Sequence, residues 1–121
     1  MLKTIVSEIT IETFYTLLKT NPGLVIIKLG AEWCKPCQQI KSNVEDWFSV
    51  MPNHIQTVLI DIDESFQLYS LLKNKKMLHG IPAILMYKAG NTTFIPDEIV
   101  NSSNINEIDA FFMKSLKHSQ I

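Results

Sequence analysis

Arginine is absent from this sequence: all eleven of its formal cations are lysines. Planar, bidentate guanidinium recognition of phosphate or carboxylate is therefore closed to it. An excess of one charge is missing too. Eleven Lys stand against twelve Asp plus Glu, a net charge of -1, which leaves no basic footprint for nucleic acid or an anionic membrane surface. Apolar runs such as Leu24–Ile27 and Val58–Ile60 fall far short of the roughly 20 residues a membrane helix needs. The N-terminal Met-Leu-Lys-Thr-Ile-Val-Ser-Glu has no apolar stretch ending in a small-residue cleavage site, so a reducing, cytoplasmic setting is expected. Cysteine is scarce as well. Two residues are too few for a disulfide-dense secreted scaffold, and each has to be explained individually.

What is present is enough for one packed domain over residues 1–121. With 121 residues, 46% hydrophobic and 19% charged, the chain can bury roughly two thirds of its unfolded surface, and its composition excludes disorder. No repeat or low-complexity tract interrupts it. Short apolar strands alternate with helical periodicity, the pattern of an α/β domain. Leu2–Val6 reads as a strand, and Thr10 as the N-cap of a helix carrying Ile11, Phe14, Tyr15, Leu17 and Leu18. Leu24–Leu29 is apolar on both faces, as a central strand is, with Lys28 as the exception. Cys37, Ile40, Val44, Trp47, Phe48 and Met51 recur at helical steps. Gln56–Ile62 reads as a strand, and Phe66 to Asn74 as a helix. Pro82–Tyr87 reads as a further strand, with Thr92–Ile95 returning beside it as a hairpin after Ala89-Gly90-Asn91. Asn104, with Glu107 three residues on, caps a last helix whose Ile105, Ile108, Phe111, Phe112 and Leu116 face the core. The expected order is β-α-β-α-β-α-β-β-α.

The chemistry sits in Trp33-Cys34-Lys35-Pro36-Cys37. Two cysteines three apart at a helix start can close a disulfide across its first turn. Cys34 lies at the N-terminal end, where free N–H groups and the helix dipole favour a thiolate. Cys37 falls in register with Ile40, Val44 and Trp47 and is expected to be buried. An exposed nucleophile and a shielded resolving thiol make a two-step exchange device: Cys34 attacks a substrate disulfide, and Cys37 displaces the reduced substrate. Pro36 suits the first helical turn, where its missing N–H is not needed, and Lys35 sets a cation beside Cys34. A zinc site is the competing reading of such a pair. It needs four ligands, whereas there is no second Cys pair and His54, His79 and His118 are scattered. A copper chaperone would carry its pair after the first strand behind a Met, not after the second behind Trp33.

With Ala31-Glu32-Trp33-Cys34-x-Pro36-Cys37 after one apolar strand, Gly80-Ile81-Pro82 before another, and the same element order throughout, the chain resembles the thioredoxin family. The resemblance implies an α/β thioredoxin fold, a central mixed sheet of about five strands flanked by four helices. It implies a protein-disulfide oxidoreductase whose only redox centre is the Cys34–Cys37 pair, with no metal or bound cofactor. Its partners would be disulfide-containing proteins and a thioredoxin-reductase-like or glutathione-linked reductant. Trp33 and Pro36 would shape the site. Pro82 would be cis and face the dithiol, and the Ile81 backbone would pair with substrate peptide. Two other readings stay open: a thioredoxin-fold binding or assembly module with little turnover, and a more oxidising disulfide oxidase or isomerase.

Several residues depart from that family's pattern. Lys28 stands where a buried Asp is usual. It is either a snorkelling or paired lysine, or, with Asp61 on the neighbouring strand, a charge that stabilises the thiolates and takes the Cys37 proton. Lys28 and Lys35 together are expected to raise the reduction potential. Glu32 is an alternative base for Cys37. Gly30 replaces an aromatic residue, and Ser42 a helix-kinking proline. Lys73, Lys75 and Lys76 crowd one helix end, as a solvated terminus or a docking patch for an acidic partner. His79 stands next to Gly80, as an exposed loop residue or a source of pH dependence. The glycine usual in the substrate-facing loop is missing among Val100, Asn101, Ser102 and Ser103, which is expected to narrow the groove.

Overall fold

A computed structural model describes residues 4–75 and 77–119. Five strands and four helices alternate as β1 (Ile5–Val6), α1 (Ile11–Lys19), β2 (Leu24–Gly30), α2 (Lys35–Ser49), β3 (Ile55–Asp61), α3 (Phe66–Asn74), β4 (Ala83–Lys88), β5 (Glu98–Val100) and α4 (Ile105–Ser119). The strands form one mixed sheet in the order β1-β3-β2-β4-β5. β1, β3 and β2 run parallel, while β4 and β5 are joined antiparallel.

β2 is the central strand and is buried along its whole length. Side chains alternate across a sheet, and the two faces of β2 meet different helices. Val25, Ile27 and Leu29 pack in one cluster with Phe14 and Leu18 of α1 and Leu68 and Leu72 of α3. Leu24 and Ile26 pack in the other with Ile40, Val44 and Phe48 of α2 and Ile108 and Phe112 of α4. Burial on both sides is why this strand reads as a continuous apolar run. By the same alternation, Lys28 and Gly30 belong to the α2 face.

The caps follow side-chain chemistry. Thr10 accepts a hydrogen bond from the Thr13 N–H at 3.0 Å, and Asn104 accepts from the N–H groups of Asn106 and Glu107 at 2.9 and 3.2 Å. Such caps are each worth about 1 kcal/mol. The Asn104 N–H bonds to Ser102 Oγ at 2.9 Å, a role the capping-box reading assigns to Glu107.

Three expectations need correction. The strand returning beside β4 is Glu98–Val100, not Thr92–Ile95. Residues 91–97 form a loop that satisfies its own polar groups. Asn91 accepts from the Thr93 N–H and donates to the Ile95 carbonyl, the Tyr87 hydroxyl donates to the Phe94 carbonyl, and Asp97 accepts from the Lys88 N–H. These side chains take the bonds a ladder would otherwise use. Ile105 is exposed in the first turn of α4 rather than core-facing. Among the described residues the first strand covers Ile5–Val6 and leaves out Thr4, while Leu2 and Lys3 lie outside the described residues, as does Lys76. Of the remaining lysines in that run, Lys73 and Lys75 are exposed and lie over the rings of Tyr69 and Phe94.

α2 and α4 are tied together by Asp109, whose Oδ1 accepts from the indole N–H of Trp47 at 2.8 Å and the Asn43 amide at 3.1 Å. Trp47 also stacks on Phe112, with ring centroids 5.3 Å apart. The two donors, Trp47 foremost, hold the Asp109 carboxyl below its ordinary value of 3.8 against a smaller opposing effect of desolvation. A depressed carboxylate stabilises the fold above its unfolded pKa and loses that contribution as pH falls through the folded value. In a Trp33→Phe background, where Trp47 is the sole indole, its emission should show an acid step with a midpoint below 3.8. Adding Asp109→Asn should remove the step. Persistence of the step would assign it to another carboxyl.

Candidate functional site

The chain leaves β2 at Gly30, turns through Ala31-Glu32-Trp33 and enters α2. The turn is closed by a bond from the Cys34 N–H to the Ala31 carbonyl at 3.2 Å. Cys34 is the N-cap of α2, in extended conformation (φ -89°, ψ 107°), and its Sγ accepts the Cys37 N–H at 3.2 Å. Pro36 occupies the first turn. Cys34 and Cys37 are joined as a disulfide, with their Cα atoms 5.2 Å apart. A thiolate released at Cys34 would therefore sit among the free N–H groups of a fifteen-residue helix.

The expected contrast between an exposed and a shielded sulfur is much reduced here. Cys34 is 6% exposed and Cys37 2%, so both are buried. Capping the helix and bonding to Cys37 turn the Cys34 sulfur inward. The other three residues of the motif, Trp33, Lys35 and Pro36, are exposed, and the Trp33 indole N–H donates to Asp63 Oδ2 at 2.8 Å. Lys35 is exposed at the start of α2.

The Ile81–Pro82 peptide bond is cis. Leu29 pairs with Ala83, so the adjoining Pro82 lies level with Gly30 at the end of the sheet from which α2 starts. Pro82 is buried, and Ile81, partly buried, packs against the cluster holding Cys34 and Cys37. The dithiol and the segment leading into β4 thus occupy one end of the sheet.

Behind Cys37 opens a pocket of about 180 Å³ whose lining includes Lys28, Gly30, Glu32, Lys41, Glu45 and Asp61. Among the described residues Lys28 is the one charged side chain that is buried. Burial lowers its pKa from the ordinary 10.5, Glu45 acts in the opposite sense, and Lys41 adds to the lowering. The expected pairing with Asp61 is not formed. Lys28 stands opposite Leu59 in the sheet, while Asp61 stands opposite Gly30 and accepts the Asp63 N–H at 2.8 Å. The acid that acts on Lys28 comes instead from α2. Cys37, Lys41 and Glu45 recur every four residues, so they share one helix face, a spacing already readable in the sequence.

Gly30 is what brings these groups together. A Cβ at this position would meet Cys37 Sγ at 3.5 Å and Lys28 Cε at 3.9 Å, both ordinary contacts. An aromatic ring here would fill the space between them. Gly30→Ala should therefore be accommodated, stabilising the strand by about 0.5–1 kcal/mol through reduced unfolded-state entropy. Chemical denaturation measures this, and a destabilised variant would mean that the pocket cannot accept even a methyl group.

Glu32 is exposed and borders the same pocket. His79 is an exposed loop residue. Among the described residues no group of three or more His, Cys, Asp or Glu side chains is placed to hold a metal ion, and no helix is long and apolar enough to cross a membrane.

The sequence model described as thioredoxin matches residues 5–114. The chain is 30% identical over 95 residues to thioredoxin 3 of Plasmodium falciparum, covering 78% of this chain and 49% of that protein. It is 28% identical over 99 residues to the thioredoxin of Chlamydia trachomatis, covering 79% and 83% of the two chains. It spans about half the length of several curated relatives it matches, the chloroplastic thioredoxins Y among them. In structure it is similar to Trichomonas vaginalis thioredoxin, with a TM-score of 0.73, 20% identity and coverage of 93% and 96%. A five-stranded mixed sheet with four helices, a Cys-x-x-Cys disulfide capping α2 and a family match over nearly the whole length together establish that this chain belongs to the thioredoxin family.

Proposed function

We propose that this protein is a thiol–disulfide oxidoreductase that reduces disulfides in other proteins by exchange through Cys34 and Cys37. The observation that carries this reading is a disulfide built into the cap of α2, at the same end of the sheet as the cis Pro82 segment. In the reduced protein, the Cys34 thiolate attacks one sulfur of a substrate disulfide. A Cys34–substrate disulfide forms, and the other substrate sulfur leaves as a thiolate that takes up a proton. Cys37 then gives up its proton and attacks Cys34 Sγ, and the second substrate sulfur leaves. The substrate gains two electrons and two protons, and the protein becomes the Cys34–Cys37 disulfide. No metal or organic cofactor enters the reaction. A dithiol or a reductase-type partner has to return the two electrons.

The pocket behind Cys37 supplies the second step with a path for its proton, and Lys28 is the base we assign to it. Desolvation makes a neutral amine accessible at lower pH than for an exposed lysine, and Glu32 and Glu45 border the same space. Ile81 and Pro82 form the rest for the substrate chain, and Trp33 and Pro36 border the approach to Cys34. Insulin reduction with dithiothreitol as electron donor tests the reading. Turnover above the donor's own rate supports it, and no acceleration would leave a binding module as the better description.

A further inference from the structure

The turn before β4 is held by a single side chain from across the sheet. The β4–β5 ladder ends at the Ile84–Val100 pair, and the next residue, Asn101, carries on with its carboxamide. Its Nδ2 donates to the carbonyls of Gly80 and Pro82 at 3.1 and 2.9 Å, and its Oδ1 accepts the His79 N–H. A backbone ladder cannot continue here, because Pro82 has no N–H and Gly80 takes φ +146°. Asn101 therefore grips residues 79, 80 and 82 and passes over 81. Among the described residues none hydrogen-bonds to the Ile81 N–H or C=O. One backbone unit is left free between two clamped neighbours, at the end of the sheet that carries the dithiol.

We infer that Asn101 is a positioning residue for protein substrates: by clamping His79, Gly80 and Pro82 it presents the unpaired Ile81 backbone to an extended substrate chain. The inference rests on the exchange reading above and on the substrate rest at Ile81 assigned there; what it adds is the side chain that holds this rest in place for main-chain pairing. Asn101 touches neither sulfur in this scheme and acts only through Ile81. Its loss should weaken docking and leave the chemistry of Cys34 intact.

The test compares a protein disulfide with one that has no peptide backbone. For Asn101→Ala, KM for insulin should rise roughly tenfold with kcat held within about twofold, as expected when hydrogen bonds that order a binding edge are removed. The reduced protein's rate with dithiobis-nitrobenzoate should be unchanged. Asn101→Ser, in a loop already rich in serine, carries the same comparison should the alanine variant fold poorly, since its side chain is too short to span both carbonyls. An unchanged KM for insulin would overturn the inference. So would equal losses on both disulfides, which would make Asn101 part of the dithiol's own support. A native protein that reduces neither disulfide would instead refute the exchange function itself.

Discussion

Cys34→Ser should lower insulin reduction by more than about a thousandfold, while Cys37→Ser should stop the reaction halfway. The two variants differ because the helix treats the two sulfurs differently. Cys34 is the cap, with the N-terminal N–H groups of α2 around it, so it is the sulfur whose charge the backbone stabilises. Cys37 is one turn in, on the face of α2 that carries Lys41 and Glu45, with the pocket behind it. Without Cys37, attack by Cys34 still produces a disulfide to substrate, but nothing displaces it. Cys37→Ser should accumulate a covalent one-to-one adduct, visible by mass spectrometry and reversed by excess dithiothreitol. Rapid turnover by Cys37→Ser would remove its resolving role. Residual turnover by Cys34→Ser near that of the native protein would reverse the assignment of nucleophile.

Lys28→Met should make the oxidised protein more stable at neutral pH, by about 1–3 kcal/mol. Methionine keeps the length of the stem and removes an amine that burial disfavours in its charged form. The pH dependence separates this from simple repacking. Lys28 has a lowered pKa in the folded state, so between that value and the unfolded 10.5 the unfolded chain binds the extra proton. Stability of the native protein should therefore rise as pH increases through that interval, by about 1.4 kcal/mol for each unit of lowering, and level off above it. Lys28→Met should lack the rise. The groups around Lys28 set its size: Glu45 opposes the lowering and Lys41 reinforces it, so Glu45→Gln should widen the interval. The same variant bears on redox poise. Below its folded pKa the Lys28 cation favours reduced thiolates, so Lys28→Met should lower the reduction potential by some tens of mV, with about 30 mV corresponding to 1.4 kcal/mol for two electrons. A flat native stability profile together with an unchanged potential would reduce Lys28 to a tolerated stem.

The sheet, the helices and the dithiol were legible from the chain because each has a local signature. β2 is apolar on both faces, α2 repeats at three and four residues, and Thr10 and Asn104 are polar caps before apolar runs. Pro82 came from resemblance, not from any local rule. The failures share a physical origin as well. Thr92, Thr93 and Ile95 have the strand propensity that points to β5 there, while Asn91, Thr93 and Asp97 together satisfy the backbone in another shape. Strand proximity suggests Asp61 as the partner of Lys28, and both line the same pocket, but Asp61 turns to the Asp63 N–H and the acid acting on Lys28 comes from α2, an approach that only the packed helix reveals. In the sequence Asn101 stands out only as bulk in place of a glycine. Its three bonds reach back about twenty positions, beyond what any window on the sequence can show.

The burial of Lys28 also bears on how the chain avoids a neighbouring arrangement of itself. β2 has apolar residues on both faces, and a one-residue slip against β3 and β4 would exchange the two sets of side chains at little apolar cost. Lys28 breaks that near-symmetry. In the slipped pairing its amine would enter the cluster formed by Phe14, Leu18, Leu68 and Leu72, away from the pocket beside Cys37. The residue that weakens the strand in its native place thus penalises the misaligned one far more, and the central strand carries its own alignment mark.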